Sequence, residues 1–237
     1  MILHEFKAIH SKYADTMRRD AYPLGAAAYR DMIDELQTNV ELRERMPTAA
    51  RVAIYAMLLC GLRIGEAVTM KSGWVSVSAG GAAIVVPSEV SSRGSGGSFR
   101  PKTISGNRSV PVPGDFTDHS RGEGVSLEFE RVLKAYFVNH EEVNRGKECI
   151  RRWMCELALE AGVDEYRSLR EYTFDREPKE YPDVIPHDLR ASWCAQCLRS
   201  DVNRYTVRDW GGWADMSMIN RYAKYVGDPS GEQIKRF

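Results

Sequence analysis

The sequence predicts an α+β, mostly α-helical domain carrying a small three-stranded antiparallel sheet. Three observations lead there. A helix whose body, ARVAIYAMLLC, is apolar on nearly every face starts after Pro47. A stretch of period-two alternation follows it. Helical spacing then returns and runs nearly to the C-terminus.

The elements follow in order. Glu5 to Asp20 reads as a short polar helix, and residues 1–27 as an N-terminal segment or linker containing Pro23 and Gly25. Residues 28–237 read as one folded domain. Ala28 to Glu44 carries Met32, Ile33, Leu36 and Val40 at helical spacing. Pro47-Thr48 opens the apolar helix, since Pro suits a first turn, and Gly61 ends it. Trp74 to Ser78 alternates, Gly80-Gly81 turns, Ala82 to Val86 is β-rich, and Arg108 to Val112 alternates again, giving the three strands. Between the last two lies SSRGSGGSFRPK, whose Ser/Gly content predicts mobility. The remainder reads as helical over 127–139, 143–161, 187–200 and 203–225, with breaks at glycines.

Composition sets bounds. The chain has 237 residues, 43% hydrophobic and 28% charged, which excludes disordered, collagenous and coiled-coil classes. Lys+Arg and Asp+Glu are both 33, yet the charge is unevenly placed. Cys60 to Pro113 carries six bases against two acids, and Gly114 to Ile185 carries 11 against 17. A basic half beside an acidic half suggests one face for an anionic partner. Five cysteines and an N-terminus broken by charges suit a soluble, cytoplasmic protein with no membrane partner. CAQC at 194–197 lies inside a helix with no second CxxC, which favours buried thiols over a metal site.

Three segments carry chemistry. In GLRIGEAV, Arg63 and Glu66 are i,i+3 neighbours; alone, such a pair most often means a structural ion pair. In IPHDLRASW, His187 and Arg190 share a face near a helix N-terminus, which suits a phosphate, although Asp188 there can simply cap the helix. In GGWADMSMINRYAKYV, Trp213 precedes a helix bearing Tyr222 and Tyr225; aromatics of this kind are usually core.

Together these segments resemble the tyrosine recombinases, the phage-integrase family. GLRIGEAV is similar to the family's first arginine box, PHDLRASW to its second, and GGWADMSMINRYAKYV to its third, with Trp213 where most members have His. The nine-residue step from Trp213 selects Tyr222 over Tyr225 as nucleophile. FRPKTISGNRSVPVP resembles the family's hairpin, so Lys102 takes the place of its mobile lysine. The resemblance spans roughly Ala28 to Val226 and implies the tyrosine-recombinase catalytic-domain fold. Members usually carry a further N-terminal helical domain, and only 27 residues precede the matching part here.

The resemblance implies cleavage and rejoining of DNA through a 3′-phosphotyrosine, with no metal or other cofactor. Arg63 and Arg190 would clamp the phosphate, His187 would donate to it or take the tyrosine proton, and Lys102 would protonate the leaving 5′-oxygen. Trp213 would reach a phosphate oxygen, and Glu66 would orient Arg63 or His187. Lys71, Arg93, Arg100 and Arg108 are the expected DNA contacts. The implied partner is double-stranded DNA with a specific attachment site, bound by a tetramer, and the implied source is a virus, plasmid or other mobile element. A type IB topoisomerase relative or a non-catalytic DNA-binding derivative are the alternatives.

Overall fold

The computed structural model describes residues 20–87, 107–118, 123–174 and 177–226. Its centre is α3 (Thr48–Cys60), which follows α1 (Ala26–Thr38) and α2 (Val40–Arg45). Every residue of α3 from Ala49 to Cys60 except Arg51 is buried. It packs against α4 (Ile64–Val68), α5 (Phe129–Asn139), α6 (Lys147–Glu160) and α7 (Pro186–Arg199). Full burial of one large apolar side chain contributes about 1.5–3 kcal/mol, so this helix anchors the domain. Tyr55 within it is satisfied: its Oη donates to Glu128 at 2.9 Å while its ring stacks on Phe129 at 5.2 Å.

The expected helix over 28–44 is two helices. Asn39 breaks it in an extended conformation, and its side chain accepts from Leu42 N–H at 2.8 Å. A short amide that bonds nearby backbone competes with the helix and then caps the next one. The described part of the N-terminal segment is docked rather than free-standing. Leu24 is buried, Leu24 N–H donates to Ser192 at 2.7 Å, and Tyr22 N–H donates to Asp188 at 2.9 Å.

The three-stranded sheet has the expected order: β1 (Val75–Ser78), β2 (Gly81–Val86) and β3 (Arg108–Pro111), antiparallel throughout. Ile84 faces Val110 and Val86 faces Arg108, and all four are buried. Two further hairpins occupy stretches not expected to be strands. β4 (Asp115–Asp118) pairs with β5 (Glu123–Ser126), and β6 (Leu169–Thr173) with β7 (Pro178–Pro182). The C-terminal helical region divides into α8 (Arg204–Gly211) and α9 (Ser217–Ala223), with Gly212 left-handed between them. The expected polar helix at 5–20 and the Ser/Gly segment lie outside the described residues, save for Asp20.

Gly61 ends α3 at φ +60°, and a Cβ there would overlap the Trp193 indole. Both the backbone and the contact exclude a side chain. Gly61→Ala is expected to cost at least about 2 kcal/mol, read as a lower urea midpoint at unchanged slope.

Candidate active site

The turn after Gly61 places Arg63 at the N-cap of α4. Its N–H donates to Glu66 Oε2 at 2.7 Å, closing the first turn of this short helix. The Arg63 guanidinium donates back to Glu66 Oε1 at 3.0 Å, and its side chain remains 30% exposed. Glu66 is fully buried. Arg108 reaches it from the start of β3 with two hydrogen bonds, at 2.9 and 2.7 Å.

The C-terminus of α8 completes the setting. Arg108 Nε donates to the Trp210 carbonyl at 2.7 Å, Arg190 Nη2 donates to that of Gly211, and Arg63 Nη2 approaches that of Gly212 at 3.4 Å. Three guanidinium groups thus meet three consecutive carbonyls at a helix end whose dipole favours cations. Arg190 also donates to the Gly61 carbonyl, and its guanidinium lies over the Trp213 ring at 4.4 Å. Trp213 lies 6.1 Å from both the Trp193 and Tyr222 rings. Gly211 gives the Trp213 ring room, since a Cβ there would overlap it.

The electrostatics follow from this packing. Burial alone would raise the Glu66 carboxyl, but the hydrogen bonds and charge of Arg108, then Arg190 and Arg63, pull it down to about 2. Burial pushes the Tyr222 phenol up to about 12 against the attraction of Arg190, so the hydroxyl is protonated at neutral pH. Burial and the neighbouring Arg63 charge lower Arg190, against Glu66. Three guanidiniums against one carboxylate leave an excess of positive charge in the cluster, a field that favours an anion beside it.

His187 stands exposed in the first turn of α7, one turn before the buried Arg190. Asp188 does cap that helix, accepting from Ile185 N–H at 3.0 Å, and it also pairs with Arg167 at 2.9 Å. Capping and the presentation of His187 and Arg190 therefore coexist. Cys60, Cys155 and Cys194 are buried free thiols, while Cys149 and Cys197 are half-buried.

The model of the phage integrase family matches residues 26–226. The chain belongs to that family. Comparison with curated proteins returns no match. Solved structures share the fold at low identity. The XerA recombinase is 16% identical at a TM-score of 0.52, over 88% of this chain and 60% of that one. The Tn1549 transposon integrase in complex with circular intermediate DNA is 15% identical at 0.54, over 86% and 63%. The XerH recombinase bound to its palindromic difH substrate is 13% identical at 0.51, over 92% and 54%. The chain thus spans less than two thirds of each of these.

Within this integrase fold, Arg63, Glu66, Arg190, Trp213 and Tyr222 form one connected group, with His187 beside it. Glu66 holds Arg63 and Arg108. Arg108 departs from expectation. Its side chain is 3% exposed and engaged with Glu66 and Trp210, so it supports the site from beneath rather than meeting DNA. The signal was the alternation of β3, which puts Arg108 on the same inward face as Val110. Lys71 is half-buried where its backbone bridges to Glu142. Arg93, Arg100 and Lys102 lie outside the described residues.

The depressed Glu66 pKa makes a stability statement. Its contribution is complete above the ordinary carboxylate value of 4.5 and is lost as pH falls towards about 2. Glu66→Gln is expected to cost about 3 kcal/mol at pH 7 and to flatten the loss of stability between those values. Urea unfolding at several pH values checks both.

Proposed function

We propose that the chain is a DNA strand-transferase: a site-specific recombinase that cleaves through a 3′-phosphotyrosine formed by Tyr222, without a metal. The observation that carries this reading is the convergence of Arg63, Arg190, Trp213 and Tyr222 into one cationic cluster. A phosphodiester gains negative charge on its non-bridging oxygens as it becomes five-coordinate. Arg63 and Arg190, already fixed by backbone carbonyls, meet that charge with little reorganisation. The Trp213 indole N–H is assigned as a further donor to that phosphate. Charge neutralisation by these groups is the work a metal performs in other phosphoryl-transfer sites.

Tyr222 attacks phosphorus, the P–O5′ bond breaks, and the phosphate stays esterified to the phenol. A protonated phenol needs a base, and His187 is the group assigned to receive its proton. Lys102 is assigned to protonate the leaving 5′-oxygen. Rejoining reverses the sequence with a 5′-hydroxyl as nucleophile. Lys71, Arg93 and Arg100 are assigned to the DNA backbone. A tetramer on paired attachment sites, a cytoplasmic setting and a mobile-element source complete the reading; the solved Tn1549 integrase is described as a transposon's. Among the described residues no helix is long and apolar enough to cross a membrane.

The two tyrosines sit in different surroundings. Tyr222 is buried against Trp213, whereas Tyr225 is half-buried and meets Tyr22 edge-on at 6.5 Å. On nicked duplexes carrying candidate attachment sites, Tyr222→Phe should bind but form no covalent adduct, and Tyr225→Phe should form one. An adduct with Tyr222→Phe would exclude the assignment. Joined partner duplexes, rather than relaxed circles alone, distinguish a recombinase from a topoisomerase.

The leaving-group role has its own test. Lys102→Ala should cleave an ordinary phosphodiester about a hundred- to ten-thousandfold more slowly, and recover when sulfur replaces the 5′-bridging oxygen. Equal defects on both substrates would make Lys102 a DNA-positioning residue.

A further inference from the structure

Beside the arginine cluster, the β6–β7 hairpin, α6 and the start of α7 enclose an open cavity of about 240 Å³. Its walls are Ile64, Met154, Tyr172, Phe174 and Ile185. We propose that this cavity is a nucleobase subsite, taking one unstacked base of the DNA strand whose phosphate occupies the arginine cluster. The proposal rests on the function proposed above.

Position supplies the first argument. Ile64 directly follows Arg63, and His187, which lines the cavity, lies one helical turn before Arg190. The residues that line the cavity thus adjoin the two arginines assigned to the phosphate. Size supplies the second. The volume falls below the roughly 300–1,000 Å³ of pockets for drug-sized ligands and suits one flat heterocycle.

The wall chemistry supplies the third. Phe174 is half-buried and stacks on Tyr172 at 5.3 Å with their planes 8° apart. Tyr181 braces it edge-on at 5.6 Å and is itself anchored by donating to Glu156 at 2.5 Å. The ring is thus held in one orientation, as a stacking platform requires. Charge supplies the fourth. Lys147 is exposed at the cavity and Arg151 lies beside it, paired with Glu148 at 3.2 Å. An apolar slot with aromatic walls and a basic rim matches a base joined to a phosphate backbone.

The test uses the full chain with isotope-labelled Ile and Met methyls. The probes are a four-nucleotide thymidine strand and the same backbone without bases. The thymidine strand should shift the Met154, Ile64 and Ile185 methyl signals through the ring current of the entering base, and the abasic strand should not. Phe174→Leu keeps the apolar volume and removes the ring. It should weaken binding of the thymidine strand about tenfold and leave the abasic strand unchanged. Equal shifts from both strands, silent cavity methyls, or equal affinity of Phe174→Leu and wild type for the thymidine strand would overturn the proposal. Neither readout requires cleavage, so failure here is separable from failure of adduct formation at Tyr222.

Discussion

Three like charges crowd one buried space: the guanidinium groups of Arg63, Arg108 and Arg190, with Glu66 as their carboxylate. In a low-dielectric interior such a cluster is unstable unless each group is answered. Glu66 answers two of the arginines directly. The carbonyls of residues 210, 211 and 212 answer all three from the end of α8. The short α4, the Gly61 and Gly211 positions and the inward face of β3 all serve this arrangement. The result is a set of positive charges fixed in place by the fold, the preorganisation that the proposed phosphate site requires.

That arrangement links stability to chemistry. Arg108 and Glu66 lie beneath the site, so their pairing holds Arg63 in place while leaving part of its guanidinium open. Trp213 joins the other side. Its ring lies against Arg190, Trp193 and Tyr222, and an indole of that size fits because Gly211 leaves room for it. Tyr222 is meanwhile held protonated by burial. In the proposed reaction it therefore needs a proton acceptor before it can attack.

Much of this was legible in the residues. The apolar run of α3, the Gly-Gly turn and the alternating strands are strong local signals, and the fold bears them out. The two extra hairpins were hidden because their strands are short and polar: LREYT and PKEYP place few side chains inside. The hydrophobic spacing continues across Asn39, so the periodicity carries no sign of the break there. The role of Arg108 was missed since a basic residue at a strand start looks like a DNA contact. Only register shows that it turns inward, opposite Val86. The cluster itself is a tertiary fact, assembled from α4, β3, α7 and α8.

The most direct measurement concerns the charge that the arginines are held to meet. A substrate whose scissile phosphate has one non-bridging oxygen replaced by methyl carries no negative charge there. On an ordinary phosphodiester, Arg63→Ala and Arg190→Ala should each lose about a hundred- to a thousandfold in the rate of adduct formation at Tyr222. On the neutral substrate most of that loss should disappear. An equal loss on both substrates would contradict the account, because the arginines would then be shaping the site rather than neutralising the phosphate.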